Sequence, residues 1–161
     1  MVNEIPMKNE NYVAYCGLYC QLCGKRQDIP KRASDLKKLL IKEDFEDWGL
    51  QFNEFNDFWI MLDRLIDVGD DVCCKTEKCG NPFCEIRKCA KAKKVIACPF
   101  CNEYPCETIK PIAKREGTLL FDGYRLKDLG LEEWIKEQEI RKEEGFCYAD
   151  VRISKKKSNS L

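Results

Sequence analysis

The stretch CGLYCQLC, residues 16–23, sets three thiols at the spacing C-x3-C-x2-C, and CPFCNEYPC, residues 98–106, sets three more at C-x2-C-x4-C. Two residues between cysteines let a tight turn aim both sulfurs at one point about 2.3 Å away, the Zn–S distance, which a disulfide framework does not require. Cys84 and Cys89 stand shortly before the second cluster, so the chelating pattern recurs rather than occurring once. Twelve cysteines in 161 residues need such a purpose. At that density, free thiols in a reducing cell would be an oxidation liability. The expected fold is therefore small and nucleated by metal, with loop-rich, zinc-knuckle-like segments and helices attached to them.

The chain contains no histidine. That removes mixed Cys/His metal sites, imidazole catalysis at neutral pH, a Ser-His-Asp triad and the HExxH helix together. A zinc held by four thiolates is coordinatively closed and has no open position for water, which points to a structural ion. No phosphate-binding glycine loop stands out, and no pair of carboxylates is set apart from the solvated charge of the helices. No catalytic residue is singled out, and the reading leans away from an enzyme.

Basic and acidic residues balance at 28 each, so no overall field favours nucleic acid or an anionic membrane. The N-terminus MVNEIPMKNEN lacks a basic region followed by an apolar stretch, and the longest apolar run, Phe58 to Leu62, is too short to span a bilayer. The expected location is the cytoplasm, with no membrane association.

Along the chain the pattern predicts an α+β, mainly helical protein. Residues 1–153 form one cysteine-rich domain with a helical insert at about 31–68, and residues 154–161, SKKKSNSL, form a solvated tail. Pro30 marks a loop, after which Ser34 is placed to cap a helix bearing Leu36, Leu39 and Leu40. Phe52, Phe55, Phe58, Trp59, Leu62, Leu65 and Ile66 recur at spacings of three and four, the stripe of an amphipathic helix ending at Gly69. The ordinary role of such a stripe is core packing, here against the metal-nucleated half. A short helix is predicted through about Glu85 to Lys94. Leu119 to Phe121 is a short apolar run. Gly130 precedes a charged helix with Leu131, Trp134, Ile135 and Gln138 inward, closed by Gly145. Residues 146–153 read as a strand.

Three competing chemistries use the same cysteines. C-x3-C-x2-C is the spacing with which radical S-adenosylmethionine enzymes hold an iron–sulfur cluster, but the following residues read as helices where that fold needs alternating strands. A different iron–sulfur cluster on Cys16, Cys20, Cys23 and a distant cysteine stays open, since four-thiolate tetrahedral sites suit zinc and iron–sulfur alike. VIACPFC, residues 95–101, looks like the strand and dithiol of a glutaredoxin, although too little chain remains for the rest of that fold. A basic run, Arg87, Lys88, Lys91, Lys93 and Lys94, suits either phosphate contacts with nucleic acid or local compensation of negative thiolate sites.

With CGLYCQLC (16–23), CEIRKCA (84–90), CPFCNEYPC (98–106), GLEEWIKEQ (130–138) and GFCYADVR (145–152) taken together, the sequence resembles the cysteine-rich domain of unknown function 3795. The resemblance implies metal binding, zinc first and two ions, with no established activity. It matches Cys16, Cys20, Cys23, Cys84, Cys89, Cys98, Cys101 and Cys106 to the family's cysteines, enough for two sites. The family's C-x-G-C pair is incomplete here. Cys74 matches its second cysteine within DVCCKTEKCGNPFC, and no cysteine stands three residues before it. Cys74 thus joins the candidate ligands, Cys74 or Cys79 is a replacement for one of the eight, and Cys73 ranks behind them. Cys147 has no chelating neighbour and reads as a buried small hydrophobe. The expected role is a zinc module supporting a surface for a protein or nucleic-acid partner, with an iron–sulfur or thiol redox protein as the alternative.

Overall fold

The structure is a computed structural model that describes residues 9–71, 73–75 and 82–152. Its first described segment closes on itself. Gly17 at φ +93°, open to glycine at no steric cost, turns the chain so that Ala14 N–H reaches the Leu18 carbonyl at 2.8 Å and Val13 bridges Tyr19. A 3-10 turn, Cys20–Leu22, follows. The helices are α1 (Asp28–Lys42), α2 (Phe45–Trp48), α3 (Phe55–Asp67), α4 (Glu85–Ala92), α5 (Lys110–Ala113), α6 (Leu119–Leu129), α7 (Leu131–Glu143) and α8 (Tyr148–Val151).

The molecule is mainly helical. Among the described residues there is no strand, only the isolated bridges Val13–Tyr19 and Glu116–Arg152, so the β part of the α+β expectation is not met. The strand read at 146–153 is instead the short α8. Cys147 accepts the Ala149 N–H at its sulfur and caps that turn, a local bond that competes with extended pairing. Ile153 and the tail lie outside the described residues.

α1 begins at Asp28, ahead of Ser34. Pro30 sits within its first turn, where the missing N–H would have no intrahelical partner anyway. α3 begins at Phe55, and Phe52 falls just after the 3-10 turn Gly49–Gln51. Its stripe does not pack against the cysteine-rich half. α1, α2 and α3 pack chiefly on one another, around buried Ala33, Phe45 and Leu62, leaving Phe52 and Phe58 exposed. Both ends of this insert meet at one point. Gly69 lies so close to Arg26 that a Cβ would come within 2.6 Å of the Arg26 carbonyl, and Arg26 Nη1 donates to the Gly69 carbonyl at 3.0 Å.

The main core joins the first cysteine segment to the C-terminal helices. Val13, Tyr19, Leu22, Ala97, Leu126, Trp134, Ile135 and Tyr148 form one buried cluster, and α7 lies across the turns at Asn9–Tyr12 and Cys20–Leu22. Trp134, Ile135 and Gln138 are inward as the pattern predicts. Burying Trp134 and Tyr19 completely, edge to face at 5.8 Å, contributes on the order of 2–3 kcal/mol each from apolar area. Arg141 donates to both Gln138 and buried Asp122 at 2.7 Å, fastening α7 to α6.

Candidate metal centres

α4 and the turns after it gather one group of thiols. Cys84 is the N-cap of α4, which puts Cys89 on its second turn beside inward Ile86 and Ala90. The chain then returns through the 3-10 turn Cys98–Phe100, opened by Pro99, with Cys101 N–H on the Cys98 carbonyl at 2.9 Å and Tyr104 N–H on the Cys101 carbonyl at 3.1 Å. These turns bring Cys89, Cys98, Cys101 and Cys106 around one cavity of about 10 Å³, floored by Tyr104 and rimmed by Lys93. Among the described residues Val95–Ala97 pairs with no strand, so the strand of the glutaredoxin-like reading is absent here. Burial pushes the Cys98 thiol up to about 11, helped by Cys106, Cys89, Cys101 and Cys84. For Cys106 burial acts upward too, but hydrogen bonds to its sulfur from the Ile109 amide and from the Thr108 amide and hydroxyl outweigh it.

A second group forms where the first cysteine segment meets Cys73 and Cys74. Cys20, Cys73 and Ala14 share a small buried cluster flanked by Cys16 and Cys74. Cys74 accepts the Tyr15 N–H at its sulfur at 3.2 Å, and Cys73 donates to the Asn11 carbonyl at 3.2 Å. A hydrogen bond to Cys73, then burial, raises the Cys20 thiol far above its ordinary value. Burial lifts Cys16 to about 12, with Cys74, Cys98 and Cys84 adding to the rise.

Cys73 thus stands in the midst of the second group although the spacing ranked it low. The sequence signal was its adjacency to Cys74. Cys84 packs in the same apolar cluster as Cys16 and Cys98, and its charge raises both thiols. Cys23 is not among the thiols that act most on Cys16 or Cys20. Cys79 lies outside the described residues. Cys147 is buried with its sulfur 3.2 Å from where a Cβ on Gly24 would stand.

The two groups are tied together. Cys98 N–H donates to the Tyr15 carbonyl at 2.7 Å, and Gly17 abuts Pro99 so closely that a Cβ there would lie 2.7 Å from Pro99 Cγ. The glycine of CGLYC therefore serves both the turn and the contact between the two cysteine segments. Cations border each group. Lys93 Nζ lies 3.8 Å from Cys101 Sγ and 2.7 Å from Glu103, while Lys75 Nζ sits 3.9 Å over the Tyr15 ring. In the basic run, Lys88 also pairs with Glu85 at 2.8 Å, and Lys91 and Lys94 face solvent.

The donor chemistry fits a thiophilic ion, since cysteine sulfurs dominate both groups. The sulfurs do not yet converge. Among the described residues no three Cys, Asp or Glu side chains stand in a chelating arrangement.

A family model described as protein of unknown function (DUF3795) matches residues 12–111. The chain belongs to this family. The DUF3795 region takes in both thiol groups and ends before α6, so the helices that complete the main core, α6, α7 and α8, lie beyond it. No curated protein and no solved structure matches the chain. No helix among the described residues is long and apolar enough to cross a membrane.

Proposed function

We propose that this DUF3795 protein is a cytoplasmic zinc-binding module in which two all-cysteine structural sites hold the loops that present an interaction surface. The observation that carries this reading is the cavity shared by Cys89, Cys98, Cys101 and Cys106. Four thiols from α4 and the turns after it, lining one small cavity, supply the donor set of a closed tetrahedral site once their sulfurs converge. The second site draws on Cys16, Cys20 and Cys74, with its fourth ligand from Cys73, Cys84 or Cys23. When bound, zinc supplies charge neutralisation and a cross-link between loops. The chain's own part is to position thiols, exclude water with Tyr104 and Ala90, and offset the negative charge with Lys93 and Lys75.

Elemental analysis of anaerobically purified protein is expected to give two zinc ions per chain and no iron, with a colourless solution. Iron at two or more atoms per chain, with absorbance near 400 nm, would replace this reading with the iron–sulfur alternative. Structural zinc contributes on the order of 10 kcal/mol in small modules, so a chelator should loosen the cysteine-rich half. A near-UV circular dichroism spectrum unchanged by metal removal counts against structural zinc. For the basic run as a nucleic-acid contact, binding that weakens steeply with salt is the expected signature.

A further inference from the structure

The α2–α3 side of the insert combines two properties. From Glu43 to Asp63 the chain carries seven carboxylates and neither lysine nor arginine. In the same stretch Trp48 is 47 %, Phe52 50 % and Phe58 39 % exposed. The rings form one cluster about buried Phe45, which contacts Trp48 at 4.6 Å and Phe58 at 5.9 Å between centroids, while Trp48 meets Phe52 at 6.2 Å. Among the described residues only Asp63 of the seven finds a cationic partner, Lys37, which also lies over Trp59. Of the nearby cations, Lys31, Arg32, Lys38 and Lys42 belong to α1 and Arg64 to the last turn of α3, so the acidic character holds for α2 and the first turns of α3.

An aromatic cluster that leaves three rings partly in water is a candidate contact surface, and neighbouring carboxylates select what covers it. We propose that this side of the insert docks a cationic amphipathic segment of a partner protein. Its apolar face would lie on Trp48, Phe52 and Phe58, and its lysines or arginines would meet Glu46, Asp47, Glu54 and Asp57. An anionic membrane or nucleic acid is repelled by the same carboxylates. A second copy of this chain is a poorer match, because the helix bearing its basic run, α4, turns its apolar Ile86 and Ala90 inward. The inference deepens the interaction-surface part of the proposed function and does not depend on the metal.

The test uses the full-length, metal-loaded chain and a fluorescein-labelled helical peptide of leucines and lysines, with a leucine–glutamate peptide as control. Fluorescence anisotropy should show saturable binding of the lysine peptide only, weakening about tenfold or more when salt is raised from low to high ionic strength. The combined E46Q, D47N, E54Q and D57N variant, and separately F52S, should each bind about tenfold more weakly, losses typical of a charged rim and an aromatic anchor. Retained zinc content and near-UV circular dichroism in the variants show that the fold is intact. No saturable binding, equal binding of the glutamate peptide, or a wild-type dimer abolished by F52S would each overturn the proposal. Absence of zinc from the wild-type chain would instead overturn the metal reading and leave the peptide result standing.

Discussion

Gly123 and Lys93 show how much a single position controls. Gly123, on α6, faces Tyr104, and an added Cβ would stand 2.0 Å from its hydroxyl oxygen. Tyr104 in turn floors the thiol cavity, so the clash cannot be relieved without moving a ring beside Cys98. Gly123→Ala should cost about 1–3 kcal/mol, as overpacking of a closed core does, and should lower the melting temperature by several degrees in calorimetry. Lys93 acts through charge. Its ammonium bridges Cys101 and Glu103 in solvent, and Lys93→Gln should speed zinc transfer to a chelator severalfold, with the difference shrinking at high salt. Equal rates for wild type and variant, followed by absorbance of the chelator complex, would remove Lys93 from that role. At this scale the sequence showed which residues bear sulfur but not which meet. Cys73 joins the second group because the chain returns to Arg26 at Gly69 after the helical insert, a distance no local spacing reports.

At the scale of elements, legibility followed how local the determinants were. α4 and α7 were readable because their inward residues repeat at helical spacing and their ends are marked, α7 by Gly130 at φ +75° and Gly145 at φ +83°. α6 was read only as an apolar run. Asp122 and Gly123 interrupt its periodicity, and both are retained for tertiary reasons, one for Arg141 and one for Tyr104. The stripe of α3 is legible at helical spacing, but its partner is not: α1, whose start Pro30 obscures, lies against it instead of the cysteine-rich half. Because the insert's ends meet at Arg26 and Gly69, replacing residues 28–67 by a short glycine-rich linker should leave a chain that keeps the proposed zinc and melts cooperatively. Loss of metal, or of the near-UV signal of Trp134, would show that the insert is needed for the core.

For the whole molecule, the mainly helical class was legible and the strand was not real, because Cys147 finds a local partner in Ala149 N–H. The Gly17–Pro99 contact and the Cys98–Tyr15 hydrogen bond carry a further consequence. The two thiol groups share one backbone seam, so zinc bound at either one, as proposed, would fix a wall of the other. Zinc titrated into the metal-free chain should then enter as a pair. Native mass spectrometry at one equivalent is expected to show mostly empty and doubly loaded chains, with the singly loaded species scarce. A statistical distribution of the three would mean that the seam is stiff before any ion arrives.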